Sequence, residues 1–298
     1  MAPNMYSLNV PYIKTLHKQP YPALSPTRPE HSQAGRTVLV VGASTGIGFA
    51  TARAFVQASA FHVILTGRRG AVLADAVSQL RTEAKAGTTI TGVVSDMADL
   101  QDSEKLWSEL AEKGTAVDVL VLSALSTGEG KPLLQADLGP TWKAFETNVR
   151  GLLDHAQRFS KQGKQKNKFL VNISTTAIHN VNEVGSHPAY GMTKNSGTLL
   201  MQLIAKDTDP EDLQVVSFHP GSVLTEAVRS AGFDETSFYW DDVNLAGQFA
   251  VYCASEAARF LHGRFIPVWW DVDEVKTGEV RARMESEYHF LRLGVIGV

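Results

Sequence analysis

Tyr190 and Lys194 stand four residues apart in the run Tyr190-Gly-Met-Thr-Lys194, and Leu199, Leu200, Leu203 and Ile204 follow at helical spacing. On a helix this puts phenol and ammonium on one face, close enough to interact. A nearby ammonium favours phenolate over phenol, so the expectation is a tyrosine pKa drawn down from about 10 towards the working pH, which makes Tyr190 a usable general acid. The second stretch with chemistry in it is 37–51, TVLVVGASTGIGFAT. Gly42, Gly46 and Gly48 permit a tight turn and let the backbone approach a pyrophosphate, while the helix after them offers unpaired N–H donors and a positive dipole. Their spacing, G-x-x-x-G-x-G, differs from the G-x-G-x-x-G of the commonest dinucleotide fingerprint. Further on, Gly67 occupies the place, about twenty positions past the glycines, where an acidic residue usually accepts ribose hydroxyls. With no carboxylate there to repel a 2′-phosphate, and with Arg68 next to it, the site points to NADP(H).

Strands and helices must bring these groups together. Residues 38–41 form a short apolar run of the kind buried on both faces of a parallel sheet. Further strands are predicted at 61–66, 89–94, 117–122, 169–173, 213–218 and 263–269. Helices are predicted at 71–86, from near Asp99, through Trp142, Phe145, Val149 and Leu152, after Tyr190, at 245–260, and as a charged helix near the C-terminus. The alternation predicts an α/β fold: a single doubly wound Rossmann-type domain, its seven-stranded parallel sheet covered by helices on both faces. That domain spans 35–298. Residues 1–34 hold half of the chain's twelve prolines (Pro3, Pro11, Pro20, Pro22, Pro26 and Pro29) and read as an extended arm without regular structure.

The 298 residues, 44% of them hydrophobic, suffice for one large core. A net charge of −3 lacks the basic surplus that a nucleic-acid partner calls for. The one basic run, KQGKQKNK at 161–168, reads as a solvated loop. Cys253 is the sole cysteine, which rules out an intrachain disulfide and a thiolate metal site. His179, His187 and His219 have no metal-ligand spacing and read as loop residues, with His187 a distant candidate for touching substrate. No metal is expected. No stretch approaches the roughly 18 apolar residues of a membrane span, the N-terminus lacks the features of a secretory signal, and the apolar end GVIGV at 294–298 is too short for an anchor. The expectation is a cytoplasmic protein without a membrane partner.

In their order along the chain, these segments resemble the short-chain dehydrogenase/reductase family over 35–268, in the manner of its fungal members, many of which carry a Pro-rich leader. The glycine segment is similar to T-G-A-S-x-G-I-G, with Val41 where the family has a Thr that ties the turn to a neighbouring strand. The resemblance implies cofactor binding by Gly42, Ser44, Thr45, Gly46, Ile47 and Gly48, and a hydrogen bond from the adenine amino group to Asp96, a residue that as a sequence feature equally suits a helix cap. It implies that Asn148, a poor helix-interior residue, interrupts its helix and holds a water linked to the catalytic Lys194. Residues Pro220, Gly221, Val223 and Thr225 match P-G-x-V-x-T, which implies that they fix the nicotinamide carboxamide, while Tyr190 and Lys194 both touch the cofactor. Aligning Asn172, Ile173 and Ala177 with the family's N-I-S-S-x-A puts Thr175 at the carbonyl-polarising position and Ser174 just before it, turned into the structure by strand alternation. One departure stands out: the usual N-N-A-G is replaced by Leu122, Ser123, Ala124 and Leu125. The implied function is NADP(H)-dependent reduction of a ketone or aldehyde, or the reverse oxidation, by a homo-oligomer, dimer or tetramer. Phe233, Phe238, Tyr239 and Trp240, in the segment that covers substrate in the family, point to a lipophilic small molecule or else to core packing. The altered 122–125 segment leaves open an NADP(H)-binding protein of the same fold without net redox activity.

Overall fold

Val38 and Val40 face one side of β1 (Thr37–Val41), Leu39 and Val41 face the other, and all four are buried in separate clusters on the two sides. The computed structural model describes residues 8, 10–84, 87–163, 166–185, 187–230 and 232–294. Among them, β1, β2 (His62–Gly67), β3 (Thr89–Val94), β4 (Val119–Leu122), β5 (Lys168–Ile173), β6 (Leu213–His219) and β7 (Phe265–Pro267) form one parallel sheet ordered β3-β2-β1-β4-β5-β6-β7. Strand order reverses between β1 and β4, and at such a switch point the strand ends open a crevice for a ligand. One face is covered by α1 (Gly46–Gln57), α2 (Gly70–Glu83) and α8 (Val243–Cys253), the other by α3 (Leu100–Glu112), α5 (Gly151–Lys161) and α6 (Pro188–Lys206). The doubly wound α/β reading of the sequence is thus the fold observed.

Three local readings change. The predicted helix at 245–260 is two pieces, α8 and a 3₁₀ turn at Glu256–Leu261, because the buried Ser255 hydroxyl donates back to the Tyr252 carbonyl (2.7 Å) and the chain turns there. The seventh strand shrinks to three residues: Pro267 has no N–H to extend the ladder, and Trp270 bridges instead to Leu16 of the arm. The helix through Trp142 is interrupted at Asn148, as the resemblance implies: it is α4 (Leu138–Phe145), a π turn at Glu146–Arg150, and then α5. Within the basic run, 164–165 lie outside the described residues, and Lys168 is buried rather than solvated. Its ammonium donates to the carbonyls of Phe159 (2.8 Å), Ser160 (3.1 Å) and Gln162 at the end of α5.

The arm lies along the C-terminal elements α9 (Val272–Thr277) and α10 (Glu279–Ser286), with Ile13 and Leu24 buried in the core. Two short 3₁₀ turns, Pro22–Leu24 and Pro29–His31, each begin on a proline, whose missing N–H is no loss at that position. Among the described residues no helix is long and apolar enough to cross a membrane. Of the apolar C-terminal run, 295–298 lie outside the described residues.

Candidate active site

The glycine turn sits where β1 meets the crevice. Gly42 has φ +84°, and a Cβ there would come within 2.6 Å of the Ala124 Cα; a Cβ on Gly48 would come within 2.0 Å of the Gly42 carbonyl oxygen. Neither position admits a side chain, which leaves a cradle of bare backbone. Gly46 (φ +58°) faces Thr225, whose methyl would lie 3.2 Å from an added Cβ. Thr45 precedes α1 without capping it through its side chain, and the first turn carries no acidic residue, so the amides of Gly46, Ile47 and Gly48 remain a donor set suited to phosphate oxygens. The residues present therefore fit a dinucleotide. Ser44 lies beside Gly67, where a Cβ would approach its hydroxyl to 3.1 Å.

The altered segment after β4 is anchored by main chain. Ser123 and Ala124 both donate to the Val41 carbonyl (2.9 Å each), so the loss of a threonine at Val41 does not cut β1 from β4. Ser126 is gripped at both ends by the Asn148 carboxamide: its N–H donates to Oδ1 (2.9 Å), and Nδ2 donates to its carbonyl (2.6 Å) and to Thr193 Oγ1 (2.9 Å). Asn148 lies in the π turn, with its own carbonyl directed at Gly197 on α6, where a Cβ would come within 2.5 Å. The helix is interrupted at Asn148, and its side chain braces the 122–126 strand end, a use the sequence did not disclose.

Beyond β5 the chain brings Thr175, Tyr190 and Lys194 together. Side chains alternate along the strand end. Ser174 is buried with its hydroxyl 2.5 Å from that of Thr198, while Thr175 accepts from the Ala177 amide (3.3 Å) and lies towards the Tyr190 phenol. The expected depression of the Tyr190 pKa is overturned: burial pushes the phenol up, opposed only by the neighbouring Thr175. The reason is geometric, since the Lys194 ammonium donates to the Ile173 carbonyl instead of facing the phenol, and its own burial lowers it to about 8.

The other candidate residues lie on the segments that follow β2, β3, β5 and β6. Asp96 spends one oxygen on the Ala98 amide (2.9 Å), while the cap of α3 is Asp99, which accepts from Gln101 (2.8 Å). Arg68 is exposed and makes no ion pair among the described residues, whereas Arg69 forms a two-pronged pair with Glu226 (2.9 and 2.8 Å) on α7 (Glu226–Ser230). After β6, Pro220 and Gly221 turn the chain, Val223 is buried, and Thr225 accepts from the Val228 amide (3.3 Å). Gly221 (φ +88°) packs against Asp241. Phe233, Phe238 and Trp240 stack on one another (ring centroids 5.5 and 5.2 Å apart) and not in the core, and Tyr239 is exposed. His179 sits edge-on to Phe265, His219 accepts from the Gly221 amide (2.8 Å), and His187 adjoins Gly130. No cluster suited to a metal ion exists among the described residues. A mostly apolar cavity of about 560 Å³ opens at the N-terminal end of α6, lined by Pro132, Leu133, Leu134, Gln135, Gly185 and Pro188.

Known proteins share this arrangement over most of the chain. It is 29% identical over 283 residues to the short chain dehydrogenase/reductase AacuD of Aspergillus aculeatus, covering 95% of this chain and 96% of that one. The RhlG/NADP complex of Pseudomonas aeruginosa superposes with a TM-score of 0.71 at 23% identity, over 80% of this chain and 97% of the other. A chain from Beutenbergia cavernae with bound NADP at low occupancy superposes with a TM-score of 0.71 at 26% identity, over 80% and 97%. The family model for the short chain dehydrogenases matches residues 36–236, which takes in the glycine cradle, the Thr175–Tyr190–Lys194 group and the turn after β6, and the chain belongs to that family.

Proposed function

We propose that this chain is an NADP(H)-dependent oxidoreductase that reduces the ketone or aldehyde of a lipophilic small molecule, with Tyr190 as general acid. The observation that carries the reading is the gathering of Thr175, Tyr190 and buried Lys194 beyond β5, in a sheet whose β1 end carries the glycine cradle. The cradle and α1 would hold the pyrophosphate, Arg68 the 2′-phosphate, Asp96 the adenine, and Val223 with Thr225 the carboxamide. A bound nicotinamide supplies the hydride. The Thr175 hydroxyl orients the carbonyl oxygen, and Tyr190 gives its proton to the alkoxide as charge develops there. A phenol raised by burial stays protonated across the neutral range, the form that reduction needs; oxidation of the alcohol needs the phenolate and therefore a higher pH. Lys194, lowered to about 8 by burial and held on the Ile173 carbonyl, would hold the nicotinamide ribose beside Tyr190. The apolar cavity beside α6 and the exposed aromatics at 233–239 support a lipophilic substrate. NADP in the Beutenbergia cavernae relative supports the cofactor.

Exposed Trp142 on α4 and Met192, Leu199 and Leu203 on α6 support self-association as a dimer or tetramer through these neighbouring helices. A cytoplasmic location suits a chain whose only cysteine is buried and unpaired. The test is NADPH consumption against a panel of carbonyl compounds. Tyr190→Phe is expected to abolish turnover while leaving the NADPH dissociation constant nearly unchanged, since it removes the proton donor and no phosphate contact. Retention of most of the activity by Tyr190→Phe would overturn the proposal in favour of redox-neutral chemistry.

A further inference from the structure

The turn that carries Val223 and Thr225 does not stand alone. The Asp241 side chain is fully buried, its Oδ2 accepts the Ser222 N–H (2.7 Å), and its own N–H donates to the Ser222 carbonyl (2.8 Å). Gly221 closes the approach, because a Cβ there would lie 2.7 Å from the same carboxylate oxygen. A buried carboxylate needs a compensating charge. It comes from the far end of the sequence: Lys18 Nζ lies 3.5 Å from Asp241 Oδ1, donates to the Tyr239 carbonyl (3.0 Å), and sits 4.5 Å above the Tyr239 ring, while the Lys18 carbonyl accepts the Asp242 N–H (2.8 Å). The arm is fixed on its other side. His17 donates its N–H to the Trp269 carbonyl (2.8 Å) and pairs with Asp271 (2.8 Å), and the amides of Lys14 and Thr15 bond the Glu274 carboxylate (2.7 and 3.1 Å).

We infer that Lys18 is a positioning residue for the nicotinamide end of the cofactor site. Through Asp241 it fixes the Ser222 backbone and hence the Val223–Thr225 turn, so the arm is part of the binding machinery and not a leader preceding it. This rests on the NADP(H) reading above. The glycine cradle meets this turn only where Gly46 faces Thr225, and no ion pair or hydrogen bond joins Arg68 to Lys18, Asp241 or Ser222 among the described residues, so the two halves of the cofactor should respond differently.

The experiment measures dissociation constants by calorimetry for NADPH and for adenosine 2′,5′-bisphosphate, which carries the phosphate-bearing adenosine half alone. In Lys18→Met, NADPH binding is expected to weaken about tenfold or more, about 1.4 kcal/mol, with the bisphosphate unchanged within about twofold. Lys18→Arg restores most of the loss because it returns the charge, and the KM for NADPH follows the same order. Should Lys18→Met fail to fold, the double variant Lys18→Met/Asp241→Asn, which buries no unpaired charge, must show the same split between the two ligands. Equal losses for both ligands, or none for either, overturn the inference while leaving the proposed function standing. A wild-type chain that binds neither NADPH nor NADH overturns both.

Discussion

Thr175 and Ser174 differ in what their oxygens already bind. The Thr175 hydroxyl faces the Tyr190 phenol, whereas that of Ser174 is locked to Thr198, which in turn donates to the Lys194 carbonyl (2.8 Å). Thr175→Val is therefore expected to lower kcat by about a hundredfold to a thousandfold, the usual effect of losing one donor to a developing oxyanion. Ser174→Ala should leave kcat near wild type and lower stability by about 1 kcal/mol, because Thr198 keeps its second bond. Steady-state kinetics and thermal melts check the ranking, and its reversal would assign the role to Ser174. Arg69 is already taken by Glu226, whereas Arg68 makes no ion pair among the described residues. NADPH is expected to bind about tenfold to a thousandfold more tightly than NADH, roughly 1.4 to 4 kcal/mol, and Arg68→Ala to erase most of the difference. Equal affinities in calorimetry would sink this. At this scale the sequence discloses groups joined by short spacing, such as Tyr190 with Lys194, since i and i+4 meet on any helix. It hides what burial does. The direction of the Tyr190 shift depends on where the Lys194 ammonium turns and on how dry the pocket is, and neither is written in five consecutive letters.

Helices α3 and α5 meet through a buried pair in which Trp107 Nε1 donates to His155 Nδ1 (3.1 Å). Burial lowers the His155 pKa from 6.5 to about 4, so the folded protein keeps the ring neutral where the unfolded chain would protonate it. This contribution to stability is complete above the unfolded value, falls as acid is added, and is gone near the folded value, a loss of about 3 kcal/mol by pH 4. Urea unfolding at pH 7.5 and pH 4.5 measures it, and His155→Gln should flatten the dependence across that window. On the outer faces of α4 and α6, Trp142→Glu is expected to shift the assembly towards monomer in light scattering; an unchanged mass would remove these helices from the interface. Strands were legible as elements because each is a short β-branched run, and β3 falls at its predicted residues. The interruption at Asn148 followed from the resemblance, but the split at Ser255 and the hold of Asn148 on Ser126 were not legible, since both are decided by single side chains reaching for backbone.

For the molecule as a whole, the alternation of strand and helix was enough for the doubly wound sheet, because parallel strands need crossover helices and right-handed crossovers leave few ways to place them. The partners of the arm could not be read in the same way. Lys14 and Thr15 meet Glu274, and His17 meets Asp271, across separations of 260, 259 and 254 residues, with no periodicity to announce them. That separation has a consequence for synthesis. The arm leaves the ribosome before its partners, which emerge only after some 250 further residues, roughly 13 to 50 s later at 5 to 20 residues per second. Throughout that interval the buried cluster of Ile13 and Leu24 is incomplete, because Trp270, Val272 and Val280 have not yet been made. The arm is thus made long before the elements it packs on, and the nascent chain must keep it from other company until they arrive.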